Sequence, residues 1–497
     1  DAYHIVRYRG TTNVLEWNDV ILPFLKRARL DSIRHFNGIK VDRQLITAMV
    51  ERWGKETHCF NFREGECTIT LKDIAILTDL PIDGDVVCVD STAPPKVVVN
   101  MSGWQHFIWT VTGLCPPEKG DNDADGNPPL SKGQVSITWL TAEIRRKHNP
   151  EFGGIPLTEE SSERDKDIYA RIYILGMIGG VFFPMKSNNL ISNSWLKIIL
   201  GSWDDMGNLS WASACLAQLY RSLCNASARA VKEIDGAMFI VQFWAWEHLP
   251  WIAPKVDPDK EWGPDHPLRH EAYGCRWLGE TTCDNLGAHK LEEYRRRLDH
   301  LWEAELKFDP YPERIEAHHV HKFPLHPGQW CTRVPLICHH IVEWHLPDRC
   351  LRQFGSEQCI PLDVPESQKG YHGKDGRQGP TNWPEEYKSL IRLWNVRQDQ
   401  DIVTASHVGR MGYHDPYLET YRRQSVRYMT PEGAADGALV DGIERIHDLA
   451  RTADHSAAGR EVGMIRRIAN NLLGCMRARG RDHRRYPPVP PVRPPPV

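Results

Sequence analysis

Two stretches, Ile172 to Phe183 and Gly236 to Trp246, stay apolar around nearly their whole circumference when wound as helices. A helix of that kind has no face to offer water, so it must lie among other elements. Neither stretch approaches the roughly 20 apolar residues that cross a bilayer. No membrane span is predicted, and both read as buried core helices. A chain built around them needs a large globular core, and its 497 residues, 41% hydrophobic with 18 Trp, can supply one.

Around these runs the pattern is mainly helical. Asp42 caps a predicted helix through Arg52, with Leu45, Ile46, Met49, Val50 and Trp53 at helical spacing. Next, "THCFNF" and "ECTI" flank "REG", which predicts a small β-hairpin. Thr70 then caps a helix with Asp73 in its first turn and Leu71, Ile74, Ala75 and Leu77 on its apolar face. Residues 116–133, rich in Pro, Gly and Asp, read as an exposed loop. Further helices are predicted at Thr138 to Lys147, Glu163 to Phe183 (ended by Pro184), Trp211 to Ala230, Glu233 to His248 and Leu291 to Leu306. Lys307 to Pro335 reads as irregular wrapping, and "PLICHHIVEWH" (Pro335 to His345) fits a short helix or a strand equally well. Glu385 to Val396 and Ala438 to Met476 read as helical. The last stretch, 477–497, starts with Arg477, Arg479, Arg481, Arg484 and Arg485 and ends in a proline tract that favours polyproline II, so it reads as a disordered tail. The expected organisation is a large helical domain over 1–435, a helical extension over 436–476, and the tail.

Charge narrows the partners. Lys and Arg total 61 against 65 Asp and Glu, so a net charge of -4 gives no whole-chain attraction to nucleic acid or an acidic membrane. Phosphate contacts would have to come from the five tail arginines, which also fit a nuclear import signal, while "PVPPVR" fits a polyproline ligand. The stretch "GECTITLKDIAILTDLPIDG" opens like a helix-turn-helix unit. A recognition helix, however, needs cations and amides, and Leu80 is followed by Pro81, Ile82, Asp83, Gly84 and Asp85. A packed helix after a hairpin is the expectation. Thirteen scattered cysteines without a CxxC pair suit a reducing compartment. The chain opens at Asp1 without a basic and apolar leader, so no signal peptide is expected.

Sites of chemistry are harder to find. Asp121, Asp123, Asp125 and Gly126 imitate an EF-hand, but Lys132 stands where the bidentate Glu belongs and Pro128 and Pro129 interrupt the loop. His318, His319, His321, His326, Cys331, Cys338, His339, His340, His345 and Cys350 are dense in zinc-ligand chemistry but lack ligand spacing, so no metal is expected. No Walker loop, dinucleotide fingerprint, nucleophile elbow or HExxH appears. No catalytic or cofactor-binding residue is nominated.

Long phrases nevertheless resemble one family. "MVERWGKETHCFNFREGECTITLKDIAILTDLPIDG" (Met49 to Gly84), "YILGMIGGVFFPMKSNN" and "LSWASACLAQLYRSLCNA" (Tyr173 to Ala226), "YRRRLDHLWEAELKFDPY" (Tyr294 to Tyr311) and "IVEWHLPDRCLRQFGSEQCIP" (Ile341 to Pro361) are similar to blocks of the plant mobile domain family. This group is also labelled aminotransferase-like and includes the Maintenance of Meristems proteins. The resemblance implies a mostly helical domain of plant transposable elements and of host genes derived from them. It further implies nuclear roles in transposon silencing, gene expression, genome integrity and meristem growth, with nuclear protein partners that include a PPP-class phosphatase. The aminotransferase label does not carry over, because no lysine with an Asp and Arg around a cofactor can be nominated. The expected function is that of a non-enzymatic nuclear scaffold. The alternative is a transposon-encoded accessory protein that binds nucleic acid through the tail. Near the end, "HDPYLETYRRQSVRYMTP" (His414 to Pro431) departs from the family's aromatic-rich phrase.

Overall fold

Side chains that satisfy the first free amides of a helix set many of the element boundaries. The computed structural model describes residues 6–8, 14–117, 122–124, 126–131, 133–185, 189–228, 231–254, 271–279, 290–311, 330–372, 381–399, 411–452 and 459–482. In chain order the elements are β1 (Arg7–Tyr8), α1 (Leu22–Arg27), α2 (Arg43–Val50), β2 (Trp53–Gly54), β3 (Cys59–Phe62), β4 (Gly65–Cys67), α3 (Leu71–Thr78) and α4 (Gly103–Thr112). The centre holds β5 (Gln134–Ser136), α5 (Ile137–His148), α6 (Glu163–Met177), β6 (Leu190–Ser192), α7 (Asn193–Ile199), α8 (Trp203–Gly207), α9 (Trp211–Ala226), β7 (Glu233–Ile234), α10 (Met238–His248) and α11 (Lys290–Asp299). Then come β8 (Val334–Cys338), β9 (Ile341–His345), α12 (Glu366–His372), α13 (Trp383–Glu386), α14 (Lys388–Asn395), α15 (Pro416–Gln424), α16 (Pro431–Thr452) and α17 (Gly459–Asp482). The fold is mainly α, as the periodicity predicts.

The two apolar runs lie at its centre. Every residue of α10 is buried, and the α6 run continues as a π-helical turn, Ile178–Phe182, before Pro184 ends it. At Gly179 the π turn presses close against its neighbours, since a Cβ there would meet the Cδ1 ends of Ile137 and Ile191 and require them to shift. Around this core the sheets are small. Strand β1 pairs with β7 in parallel, β2, β3 and β4 form an antiparallel meander, and β5–β6 and β8–β9 are antiparallel pairs.

The caps fall where expected. Asp42 accepts from the amides of Gln44 and Leu45 at 3.0 and 3.2 Å. Thr70 and Asp73 form a capping box, with the Thr70 hydroxyl taking the Asp73 amide at 3.2 Å and the Asp73 carboxylate taking the Thr70 amide at 2.7 Å. All eight residues of α3 are buried. Such a helix has no face left for a DNA groove, and the next α-helix begins only at Gly103. The stretch Gly65 to Gly84 therefore folds as a packed helix after a hairpin. Because Leu77 is fully buried among apolar neighbours, Leu77→Ala should cost about 2–5 kcal/mol by leaving a cavity, read as a lowered denaturation midpoint; an unmoved midpoint would overturn its place in the core.

Several boundaries differ from expectation. Glu233 and Ile234 are not the start of a helix but a strand paired with Arg7 and Tyr8, and the helix begins at Met238. The helix predicted from Leu291 to Leu306 stops at Asp299, whose carboxylate is taken up by the backbone of Met429 and Thr430. "PLICHHIVEWH" is a β-hairpin turned at His339, which takes a left-handed φ of 52°. The expected tail is helical over its first six residues, since α17 runs through Asp482, and 483–497 lie outside the described residues.

The helices α16 and α17 are 22 and 24 residues long and separated by six residues. Six residues reach about 20–25 Å, short of the roughly 33 Å length of α16, so two helices that pack together across this link must run antiparallel. They share their own small core of Val440, Ile443, Ala469 and Leu473 against Trp302.

Candidate functional site

Among the described residues, His, Cys and acidic side chains meet where α9, the β8–β9 hairpin and α12 converge on the turn before β3. Cys224 is on the last turn of α9, with Arg221 one turn earlier on the same face. Glu343 is the acid of β9, a strand buried along its whole length. His372 ends α12, and His58 sits in the β2–β3 turn with a left-handed φ of 52°, a conformation that costs a non-glycine residue energy and marks a position held by its surroundings.

Each imidazole is oriented through Nδ1. His58 Nδ1 lies 3.0 Å from the Trp344 carbonyl oxygen, and His372 Nδ1 lies 2.9 and 3.1 Å from the two Glu343 oxygens. Glu343 also receives Arg221 Nε, and its Oε2 is 3.1 Å from His58 Nε2. The Trp53 indole donates to Cys224 Sγ at 3.1 Å, and Gln368 Nε2 donates to the Glu56 carbonyl at 3.1 Å beside His58 Nε2. One ligand atom each from His58, Cys224 and His372 lies within 4.8 Å of the others. His58 and Glu343 are sealed from solvent, Cys224 nearly so, and the cluster meets the surface at His372, whose side chain is 29% exposed.

The charges support one another. Burial pushes the Glu343 carboxyl up, but the bonds to His372 and His58 and the Arg221 charge overcome it and hold the acid ionised. Burial disfavours a charged His58, while Cys224 and Glu343 more than reverse this and push it up. The bonds to Cys224 and Glu343 raise His372 despite partial burial. Burial would keep Cys224 a thiol, yet the two imidazoles pull its pKa below the ordinary cysteine value. A carboxylate and a thiol of lowered pKa thus face two imidazoles, an arrangement that suits either shared protons or a soft cation.

Two other buried networks hold the frame. Asp73 accepts from His248 Nε2 at 3.2 Å and from the Tyr311 hydroxyl at 2.7 Å, in addition to the Thr70 box. Asp299 pairs with the buried Arg52 and accepts the amides of Met429 and Thr430 at 2.8 and 2.9 Å. Near the α16–α17 pair a cavity of about 230 Å³ is lined by Glu64, Tyr413, Arg422, Glu444, His447 and Asp448, among others.

The sequence had pointed elsewhere. Arg477, Arg479 and Arg481 fall within the span of α17, while Arg484 and Arg485 lie outside the described residues. Among the dense His and Cys set, His318, His319, His321 and His326 also lie outside them. The rest do not converge: His339 packs edge-on to Trp195, His345 bonds the Thr332 carbonyl, and burial drives both imidazoles toward the neutral form. Of the EF-hand mimic, Asp123 is engaged by Ser136 and by the Asn127 amide at 2.8 Å. The one sequence signal for the real cluster was Glu343 itself, an acid in an apolar strand that must bring its partners with it.

The plant mobile domain profile matches residues 30–422. The chain is 32% identical over 435 residues to the serine/threonine-protein phosphatase 7 long form homolog of Arabidopsis thaliana, an alignment covering 84% of this chain and 30% of that protein. It is 28% identical to protein MAIN-LIKE 1 of the same plant, covering 92% of this chain and 81% of the relative. It is also 28% identical to protein MAINTENANCE OF MERISTEMS, covering 82% and 74%. The chain thus spans less than a third of the phosphatase homolog. No solved structure matches.

Proposed function

The chain belongs to the plant mobile domain family, and from that premise we propose that it is a non-enzymatic nuclear scaffold. Its roles on this reading lie in transposon silencing, gene expression, genome integrity and meristem growth. The observation that carries the reading is an apolar stripe on the C-terminal helix pair. Leu439, Ile446 and Leu449 on α16 and Ile465, Ile468 and Leu472 on α17 are each 44–58% exposed. Their spacings of three, four and seven give each helix one apolar flank beside its buried seam. Apolar surface of this kind, rimmed by charge, marks a protein interaction site.

The partner we assign to the stripe is a PPP-class phosphatase. A relative named as a phosphatase homolog gives 30% of its length to the stretch that matches this chain. Affinity capture from nuclease-treated plant nuclei tests this. The full chain should recover such a phosphatase, and a Leu439→Ser, Ile446→Ser, Leu449→Ser variant should recover at least about tenfold less with its melting temperature held. Undiminished recovery by the variant would overturn the stripe. Recovery of nucleic acid alone, lost when Arg477, Arg479, Arg481, Arg484 and Arg485 become Gln, would replace the scaffold by the accessory nucleic-acid-binding protein.

A further inference from the structure

We propose that Cys224, His58 and His372 bind a zinc ion, with Glu343 aligning the ligands and closing the site. The proposal is independent of the scaffold reading and rests on how the four side chains are set. Metal-bound histidines are held through their second nitrogen by a carboxylate or a backbone carbonyl, which fixes the tautomer and leaves the other nitrogen's lone pair for the metal. Both forms occur here side by side. Glu343 takes His372 Nδ1 and the Trp344 carbonyl takes His58 Nδ1, so neighbouring residues of one strand orient both rings. His58 then presents Nε2, 3.1 Å from Glu343 Oε2, and His372 has Nε2 as the nitrogen not bonded to Glu343.

Size and charge agree with this assignment. Tetrahedral zinc, with bonds of about 2.0–2.1 Å to nitrogen and 2.3 Å to sulfur, separates its ligand atoms by about 3.3–3.6 Å. The ligand atoms of His58, Cys224 and His372 lie within 4.8 Å of one another and need to draw in by about an ångström. Glu343 and Cys224, the latter bound by a metal as the thiolate, call for positive charge among the two imidazoles. Two protons or one divalent cation deliver the same charge, and the cation also draws together ligand atoms that lie within 4.8 Å of one another. A soft thiolate with imidazoles selects zinc over magnesium or calcium. Ion entry is available at His372, the one member of the cluster that reaches solvent. The bound ion would tie α9, β9, α12 and the β2–β3 turn together, four elements distant in sequence.

The test uses the full chain expressed with zinc in the medium and passed through gel filtration. Metal analysis should give about one equivalent of zinc per chain, and cobalt exchanged into the site should show d–d bands of tetrahedral intensity with a thiolate charge-transfer band. His372→Gln, at the exposed edge, should bind at least about tenfold more weakly and still melt cooperatively, and Glu343→Gln should weaken binding by about 10–100-fold. Cys224→Ser should abolish the charge-transfer band, while Cys359→Ser, at an exposed cysteine elsewhere, should leave it intact. A folded chain with neither zinc nor a cobalt spectrum overturns the proposal and leaves a proton-sharing cluster. Zinc content untouched by both His372→Gln and Cys224→Ser overturns it as well, by placing the metal elsewhere.

Discussion

Asp299→Ala should lower the stability of the chain by about 3–5 kcal/mol, the usual result of stripping one partner from a buried ion pair. Asp299 and Arg52 are both shut off from solvent, and burial already works against the Arg52 charge, whose main support is Asp299. The same carboxylate takes two amides and the Thr430 hydroxyl, the last at 2.6 Å, so the substitution also strands three donors at the start of α16. The loss should be uneven. Arg63, which reaches Glu444 at 2.7 Å, would still tether α16 to the body. Limited proteolysis should therefore open the chain near 425–435 before the core unfolds, while urea denaturation reports the global change. Gly433→Ala is the matching probe from the other side, since its Cβ would run into the Asp299 carboxylate that those hydrogen bonds hold in place. Wild-type protease resistance in both variants would dismiss Asp299 as the fastening point of the helix pair.

That fastening point shows why the fold was partly legible. Local chemistry was readable because it is short-range: Asp42, the Thr70 and Asp73 box, the hairpin around Gly65 and the stop at Pro184 each depend on residues within a few positions. What depended on distant partners was not. Glu233 and Ile234 read as helix until Arg7 and Tyr8 supply a strand to pair with. The β8–β9 run could not be told from a helix because a strand buried on both faces loses the alternation that identifies it. The candidate site was hidden for the same reason. His58, Cys224, Glu343 and His372 share no local spacing, and the histidines crowded between 318 and 345 drew attention by density alone. A side-chain cluster assembled by tertiary contact leaves only the anomaly of its buried charge, here Glu343.

The question of whether α3 reads DNA or only folds is decided by Asp73. Asp73→Ala should cost about 3–7 kcal/mol, as the capping box, which takes in the Thr70 donors, is worth about 1 and each of the two other buried donors left unpaired about 1–3. The donors concerned are the Thr70 amide and hydroxyl, His248 Nε2 and the Tyr311 hydroxyl, and Asp73 itself is 2% exposed. Hydrogen bonding from His248, Thr70 and Tyr311 outweighs burial and keeps this acid ionised, so Asp73→Asn, which retains an acceptor but loses the charge, should cost less than the alanine. Adding Tyr311→Phe to Asp73→Ala should cost little more, because the hydroxyl has already lost its acceptor. In the intact chain the same change should cost about 1–2 kcal/mol, and that difference is the coupling a double-mutant cycle measures. Additive losses would mean the two groups do not act on each other. A DNA-reading helix would behave in the opposite way, losing binding at unchanged stability. With all of α3 buried, the expected order is that stability falls first and any binding defect follows from unfolding.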